Sequence, residues 1–155
     1  TMLVRLNYVS YSNTIITDED IQEILVSSRV NNKNHNITGL LMYSDRYFFQ
    51  CLEGERKEVN KTYVNILSDP RHSKCTISSY TQVTSRLFPV WAMEQVKFSG
   101  INNALVNKYS ESGLFQPHEF SPAQAEAFLT DVARISEQEA LKTEKTNPLI
   151  SWFKS

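Results

Sequence analysis

A phenol and three carboxamides fall on stripes of this sequence that otherwise carry aliphatic residues. Over residues 3–10, Val4, Leu6 and Tyr8 share one side of an alternating pattern and Arg5 and Asn7 the other, so Tyr8 points where the aliphatic residues point. In Tyr-Phe-Phe-Gln-Cys-Leu at 47–52, the same alternation groups Gln50 with Phe48 and Leu52 on the more apolar side. Ile21, Ile24, Leu25, Ser28, Asn31 and Asn32 form one broad helical stripe that turns polar at its C-terminal end. A buried amide must find partners or cost stability. Tyr8 can donate to Gln50 and leave the other end of that amide for a ligand, and paired asparagines supply both donors and acceptors. Such groups suit a ligand wedged between two helices whose edge offers carbonyls beside an imide N–H, as an isoalloxazine does. The same residues admit a plainer account, in which Asn31 and Asn32 cap a helix end and Tyr8 and Gln50 satisfy each other inside an ordinary core.

Other side chains with chemical potential divide in the same way. Trp91 and Met93 share one side of a strand, with Ala92 on the other, and serve as core filling unless a neighbouring site uses them. Arg71-His72 follows Asp69-Pro70 and reads either as a loop with a surface histidine or as basic side chains beside an electron-rich ring edge. Glu53 and Glu55 flank Gly54, and a turn and helix start account for both through capping electrostatics. The sequence carries no Gly-rich phosphate loop, no Cys/His metal cluster and no nucleophile with a local motif for its base, so ordinary catalysis has no candidate residues and the expectation is a protein that is not an enzyme.

The elements that would position these groups are legible in outline. A strand over 3–10 precedes a helix with Thr17 as N-cap and acids in its first turn, running to about Asn34. The β-rich runs 39–43 and 47–52 make a hairpin across Ser44-Asp45-Arg46, closed by Gly54. Val59, Tyr63, Ile66 and Leu67 recur at helical spacing over 55–69, and Asp69-Pro70 stops that helix. Strands follow at 76–83 and 91–98. The order β-α-β-β-α-β-β, with two single-stripe helices, predicts an α+β, ferredoxin-like mixed sheet with both helices on one face. Beyond Gly100 the pattern is helical, with a short helix at 104–109 and a longer one from Ser121-Pro122, as N-cap and N1, to about Lys142. The expected division is a domain over 2–98 and a helical extension over 99–155, whose apolar tail at 149–153 docks on the domain or on another chain.

Sixteen basic against seventeen acidic residues give a net charge of −1, which leaves no global field for nucleic acid or an anionic membrane. No segment is apolar enough to cross a bilayer, and the two cysteines, Cys51 and Cys75, read as buried free thiols of a reducing, cytoplasmic compartment.

Taken together, RLNYVS at 5–10, SSRVNN at 27–32, NITGLL at 36–41, FFQCLEGE at 48–55, DPRH at 69–72 and FPVWAM at 88–93 closely resemble the BLUF family, the flavin-based sensors of blue light, in its short stand-alone form. Weaker similarity continues in LVNKYS at 105–110 and SPAQAEAFLTDVARI at 121–135, which look like the helical cap of short members. The resemblance implies that Tyr8 and Gln50 are the photoactive pair, that Asn32 holds the flavin's imide edge and that Asn31 assists nearby. It implies further that Ile24 and Ile66, with Ser28 alongside, enclose the ring, that Arg71 and His72 lie near its pyrimidine side or phosphate chain, and that Trp91 and Met93 exchange environment during signalling. FAD is the implied cofactor, with FMN or riboflavin able to substitute. The implied output is contact with a protein partner, response-regulator-like or a transcriptional regulator, together with self-association. The alternatives are a ferredoxin-like flavin-dependent oxygenase or oxidoreductase, and a flavin-free interaction module.

Overall fold

The computed structural model describes residues 1–90, 92–98 and 104–142, with side chains through 138, so Trp91 and the apolar tail at 149–153 lie outside the described residues. Strand β1, Leu3–Tyr11, is followed by helix α1, Asp18–Asn34, whose start is fixed reciprocally. Thr17 Oγ1 accepts from the Asp20 amide at 3.1 Å, and the Asp20 carboxylate accepts from the Thr17 amide at 3.0 Å. Strands β2, Thr38–Tyr43, and β3, Tyr47–Glu55, form the expected hairpin. At Gly39 a Cβ would sit 1.9 Å from the Cys51 carbonyl oxygen, so β2 can approach β3 this closely only with glycine there. Glu55 caps helix α2, Arg56–Leu67, by accepting from the amides of Lys57 and Glu58 at 2.9 and 3.3 Å.

Strand β4, Ser73–Gln82, begins three residues earlier than its β-branched composition predicts, because the antiparallel pairing with β1 extends to Tyr11↔Ser73. The last strand, β5, Glu94–Lys97, is shorter than predicted and pairs parallel with β2. Its ladder starts at Leu40↔Glu94 because the carbonyls of Ala92 and Met93 are taken by side chains of α1 instead. The sheet order is β4-β1-β3-β2-β5, the first four strands antiparallel, which is the ferredoxin-like α+β arrangement with one strand added.

Helices α1 and α2 cover one face, where Ile21, Leu25 and Val59 pack on Val4, Leu6, Leu41 and Leu52. The opposite face is also covered. Helix α3, Ala104–Tyr109, the loop from it to a 3-10 turn at Pro117–Glu119, and helix α4, Pro122–Lys142, supply Val106, Phe115, Phe128, Leu129 and Val132 to a second core against Val9, Leu40, Phe49 and Cys51. Phe128 lies at its centre, 5.2 to 6.3 Å from the rings of Phe49, Phe98, Phe115, Phe120 and Tyr109, and burying each such ring stabilises by about 1.5–3 kcal/mol.

This second layer corrects the expectation of a half-buried first strand. Residues 4–10 of β1 are buried on both faces, since Arg5 and Asn7 meet α4 rather than water. Glu53 likewise is not a capping residue. It is fully buried under the second layer, where its carboxylate accepts from Arg5 Nε and from the amides of Leu87 and Phe88. Both cysteines are free, Cys51 fully buried and Cys75 only partly so. No helix among the described residues is long and apolar enough to cross a membrane.

Candidate functional site

Between α1, α2 and the sheet lies a cavity of about 250 Å³, just under the ~300–1,000 Å³ usual for small-molecule sites and suited to a ring system with its substituent outside. Of the described residues that the family resemblance implies for the flavin site, all but Met93 line it, whereas Glu53 and Glu55 do not. Tyr8 and Gln50 form its floor with Leu41, Phe48 and Leu52. Ile24, Ser28, Asn31 and Asn32 line the α1 wall, Ile66 faces them from α2, and Arg71 and His72 stand at the loop after α2. Trp91 lies outside the described residues, so its assignment is untouched.

The floor is set by strand register. Tyr8 and Gln50 are directly paired residues of β1 and β3, and a register shift in the β1–β4 pairing falls between Asn7 and Tyr8, where an irregularity re-aims the side chain that follows. The Tyr8 hydroxyl donates to Gln50 Oε1. Full burial drives the Tyr8 pKa well above that of a free phenol, so the proton stays on the oxygen. The tilted ring of Tyr63 and the ring of His72 flank the Tyr8 ring, with centroids 5.3 and 6.3 Å away. With its oxygen occupied, the Gln50 amide turns Nε2 toward Met93 Sδ at 3.4 Å. Thioether sulfur is a weak acceptor, so this amide is strongly held at one end and weakly at the other.

The polar end of α1 is not a frayed cap. Asn31 Nδ2 donates to Asn32 Oδ1 at 3.2 Å and to Thr62 Oγ1 at 3.1 Å, tying α1 to α2, while buried Asn32 donates to the Ala92 carbonyl at 2.5 Å. Met93 is 2% exposed and reaches the site through Gln50. His72 is not a surface residue either. Nδ1 lies 2.8 Å from Ser10 Oγ and Nε2 lies 2.7 Å from the Ile66 carbonyl, a pattern one neutral tautomer fills by donating from Nε2 and accepting from the hydroxyl. Arg71 is committed to Asp69, with Nε and one terminal nitrogen on the carboxylate at 2.5 to 3.0 Å, and a second terminal nitrogen 3.8 Å from Glu23. Those bonds hold the Asp69 carboxyl below the usual carboxylate range.

The sequence reading missed Thr62, Asn65 and Asp69, which line the cavity, and Arg29, whose Nε donates to the Met93 carbonyl at 2.9 Å. Thr62 lies four residues before Ile66 and Arg29 three before Asn32, so helical spacing from residues already chosen was the available signal. As a donor set the site fits a flavin ring. Two aliphatic side chains face each other from opposite helices, carboxamides crowd one end, and the basic side chain at the mouth is already neutralised.

The family model for BLUF, sensors of blue-light using FAD, matches residues 3–94. This chain belongs to the BLUF family. A structure of BlsA in its photo-activated state superimposes with a TM-score of 0.77 at 30% sequence identity, covering 85% of this chain and 95% of that one. The photoactivated adenylate cyclase subunit alpha of Euglena gracilis is 30% identical over 118 residues, 75% of this chain, and the BLUF chain spans 11% of that relative's length. The blue light- and temperature-regulated antirepressor BluF of Escherichia coli K12 is 34% identical over 71 residues, 46% of this chain and 18% of that protein. As a BLUF protein the chain is a blue-light sensor that works through a bound flavin. Within the family the same module also occurs joined to effector units, as in the bacterial light-regulated adenylyl cyclase, of which this chain covers 37%.

Proposed function

We propose that Tyr8 and Gln50 are the light-responsive pair of this BLUF protein, that α1 and α2 bind FAD by its ring, and that the signal leaves by protein contact rather than by turnover. The observation that carries the reading is the uneven tethering of Gln50, anchored at Oε1 by a fully buried phenol and at Nε2 only by a thioether.

When bound, the flavin supplies blue absorption and an excited state that is a strong oxidant. Tyr8 is the group placed to lose an electron, and with it the phenolic proton held against Gln50 Oε1. Without that proton the carboxamide loses its one strong anchor and can rotate or tautomerise. When the phenol regains its proton, Gln50 presents a different donor and acceptor pattern to whatever lies in the cavity. Asn32 and Asn31 hold the polar edge of the ring, Ile24 and Ile66 sandwich it, and Ser28 and His72 close the sides. The Met93 sulfur loses or gains its amide partner as Gln50 turns, which biases the segment leading into β5 between two arrangements.

FAD is the proposed ligand, with the ring read more closely than the phosphates, because Arg71 is already paired with Asp69 and flanked by Glu23. FMN and riboflavin should therefore substitute. Output through a response-regulator-like or transcriptional partner, together with self-association, is supported by the α3–α4 layer packed on the reverse of the same sheet. The unpaired state of both cysteines supports a cytoplasmic setting. The test is an absorption spectrum of the FAD-loaded protein before and after blue illumination. A reversible red shift of the flavin band is expected, and a yellow protein whose spectrum does not change would sink the reading.

A further inference from the structure

Two consecutive backbone carbonyls ahead of β5 are gripped by side chains one helical turn apart on α1. Asn32 Nδ2 donates to the Ala92 carbonyl at 2.5 Å, and Arg29 Nε donates to the Met93 carbonyl at 2.9 Å. A terminal nitrogen of the same guanidinium lies 3.5 Å from Glu94 Oε1, so Arg29 spans a carbonyl and the next residue's carboxylate. The residue between these anchors carries the thioether that faces Gln50 Nε2. Backbone position therefore decides whether that sulfur stays within reach of the amide.

We propose that Arg29 is a positioning residue of the light response, whose guanidinium clamps the Met93 backbone, holds the thioether at Gln50 and sets how fast the segment before β5 changes arrangement. This rests on the assignment of Gln50 and Met93 given above. The chemistry suits arginine in particular. A rigid fork reaches two acceptors on adjacent residues, which a lysine ammonium on a flexible stem does not reproduce, and its charge strengthens the bond to a neutral carbonyl. The side chain is 40% exposed, and Ile21, Leu25 and Asn32, not Arg29, are the fully buried residues of α1. Its loss should therefore loosen the clamp without emptying a core. The clamped arrangement is the one with Tyr8 bonded to Gln50, to which the segment returns in the dark, so weakening the clamp removes part of what draws it back and return after light should be slower.

The experiment is performed on the full chain loaded with FAD. It records the light-minus-dark spectrum, the dark-recovery rate after a blue pulse and the thermal melt for the wild type, Arg29→Ala, Arg29→Lys, Met93→Ala and the double variant Arg29→Ala/Met93→Ala. Arg29→Ala should keep its flavin and recover about tenfold slower, as expected for losing one charge-assisted hydrogen bond that forms on the way back, with Arg29→Lys intermediate at roughly threefold slower. In the Met93→Ala background, adding Arg29→Ala should change recovery by less than about twofold, because the clamp acts through the thioether. Recovery in Arg29→Ala within about twofold of the wild type overturns the proposal. So does an equally large effect whether or not Met93 is present, which is what a merely structural role would give. Should the alanine variant fail to hold flavin, Arg29→Lys decides alone, and wild-type recovery in it counts against the fork. A wild type that shows no photochromic shift overturns the underlying Gln50 assignment as well, whereas a normal wild-type shift with an unchanged Arg29→Ala overturns the clamp only.

Discussion

On the α1–α2 side of the sheet, Tyr8 and Gln50 face a cavity, and the amide is left with a sulfur for its second partner. On the α4 side, Arg5 and Glu53 of the same strands do the opposite, and Asn7 has both bonds made through Nδ2 while its Oδ1 has no partner among the described residues. Arg5 donates to Glu53 at 3.0 Å and to Glu126 of α4 at 2.6 Å, and Asn7 donates to Glu126 at 2.6 Å and to Ser79 at 2.7 Å. Burial alone would pull the Arg5 guanidinium pKa down, but the two carboxylates outweigh it and raise it. Glu53, fully buried, receives three donors from β1 and the loop after β4. One face thus stores a weakly satisfied neutral group and the other a charge network with strong partners at every carboxylate. A switch needs both. Side chains can exchange partners in front only if the strands carrying them are pinned from behind, since otherwise the rearrangement would dissipate into sliding of β1 against β3.

The largest effects should come from the face with the cavity and should touch the light response rather than the fold. Tyr8→Phe removes the one strong anchor of Gln50, and the protein is expected to bind flavin, melt near the wild type and lose the light-induced shift altogether, as difference absorption would show. Gln50→Leu should likewise hold flavin with a locked spectrum. A normal shift in Tyr8→Phe would erase the functional distinction between the faces.

Glu53→Ala tests the other face. It leaves Arg5 with Glu126 as its remaining carboxylate and takes the Glu53 acceptor from the amides of Leu87 and Phe88, and removing one partner of a buried pair costs about 3–5 kcal/mol, readable by urea unfolding of the flavin-loaded chain. The folded fraction should keep an ordinary light-induced shift. A cost below about 1 kcal/mol would mean that water reaches the network and that the pinning is weak.

How far these two faces could be read in advance follows from which signals are local. The capping box at Thr17 and Asp20, the hairpin at Ser44-Asp45-Arg46 and the stop at Asp69-Pro70 act over a few residues, and those boundaries are met within a residue or two. The cavity was legible because Tyr8, Gln50 and Asn32 broke apolar stripes whose partner layer was already implied. The α4 face was not legible. Arg5, Asn7 and Glu53 sit where a one-sided sheet would meet solvent, and nothing within β1 or β3 signals that residues 122–142 return to cover them. Arg29 was missed for a related reason, since an arginine on a helix reads as solvated when its acceptor is a backbone carbonyl 64 residues away.

Asn32→Ala lies between the extremes, because Asn32 belongs to the cavity yet also holds the Ala92 carbonyl. Leaving a buried polar edge unpaired costs about 1–3 kcal/mol, so flavin affinity should fall by roughly fivefold to 150-fold in a fluorescence titration. Unchanged affinity would confine Asn32 to its backbone contact.

The smallest effect sharpens the contrast by varying depth at a fixed number of partners. Asp131 of α4, like Glu53, has three donors: Lys108 at 2.8 Å, the Tyr109 hydroxyl at 2.6 Å and Arg134 at 2.6 Å. Here, however, Lys108 and Arg134 are 60% and 59% exposed, against 8% for Arg5. Burial pushes the Asp131 pKa up, the bonds from Lys108 and Tyr109 more than reverse it, and the net shift is downward. In return, burial and the neighbouring carboxylate push the Tyr109 phenol up to about 12. A carboxyl depressed on folding binds fewer protons in the native than in the unfolded chain, so its contribution is complete above the unfolded value near 3.9 and fades as pH falls through the lower folded value. Solvent screens the two exposed cations, so Asp131→Asn should cost only about 1 kcal/mol at pH 7. The gap between variant and wild type in urea unfolding should close as pH is lowered from about 4, and shrink in high salt at pH 7. A gap that survives at pH 3 undiminished would assign Asp131 to packing, and with it the claim that depth rather than partner count separates the two carboxylates would fall.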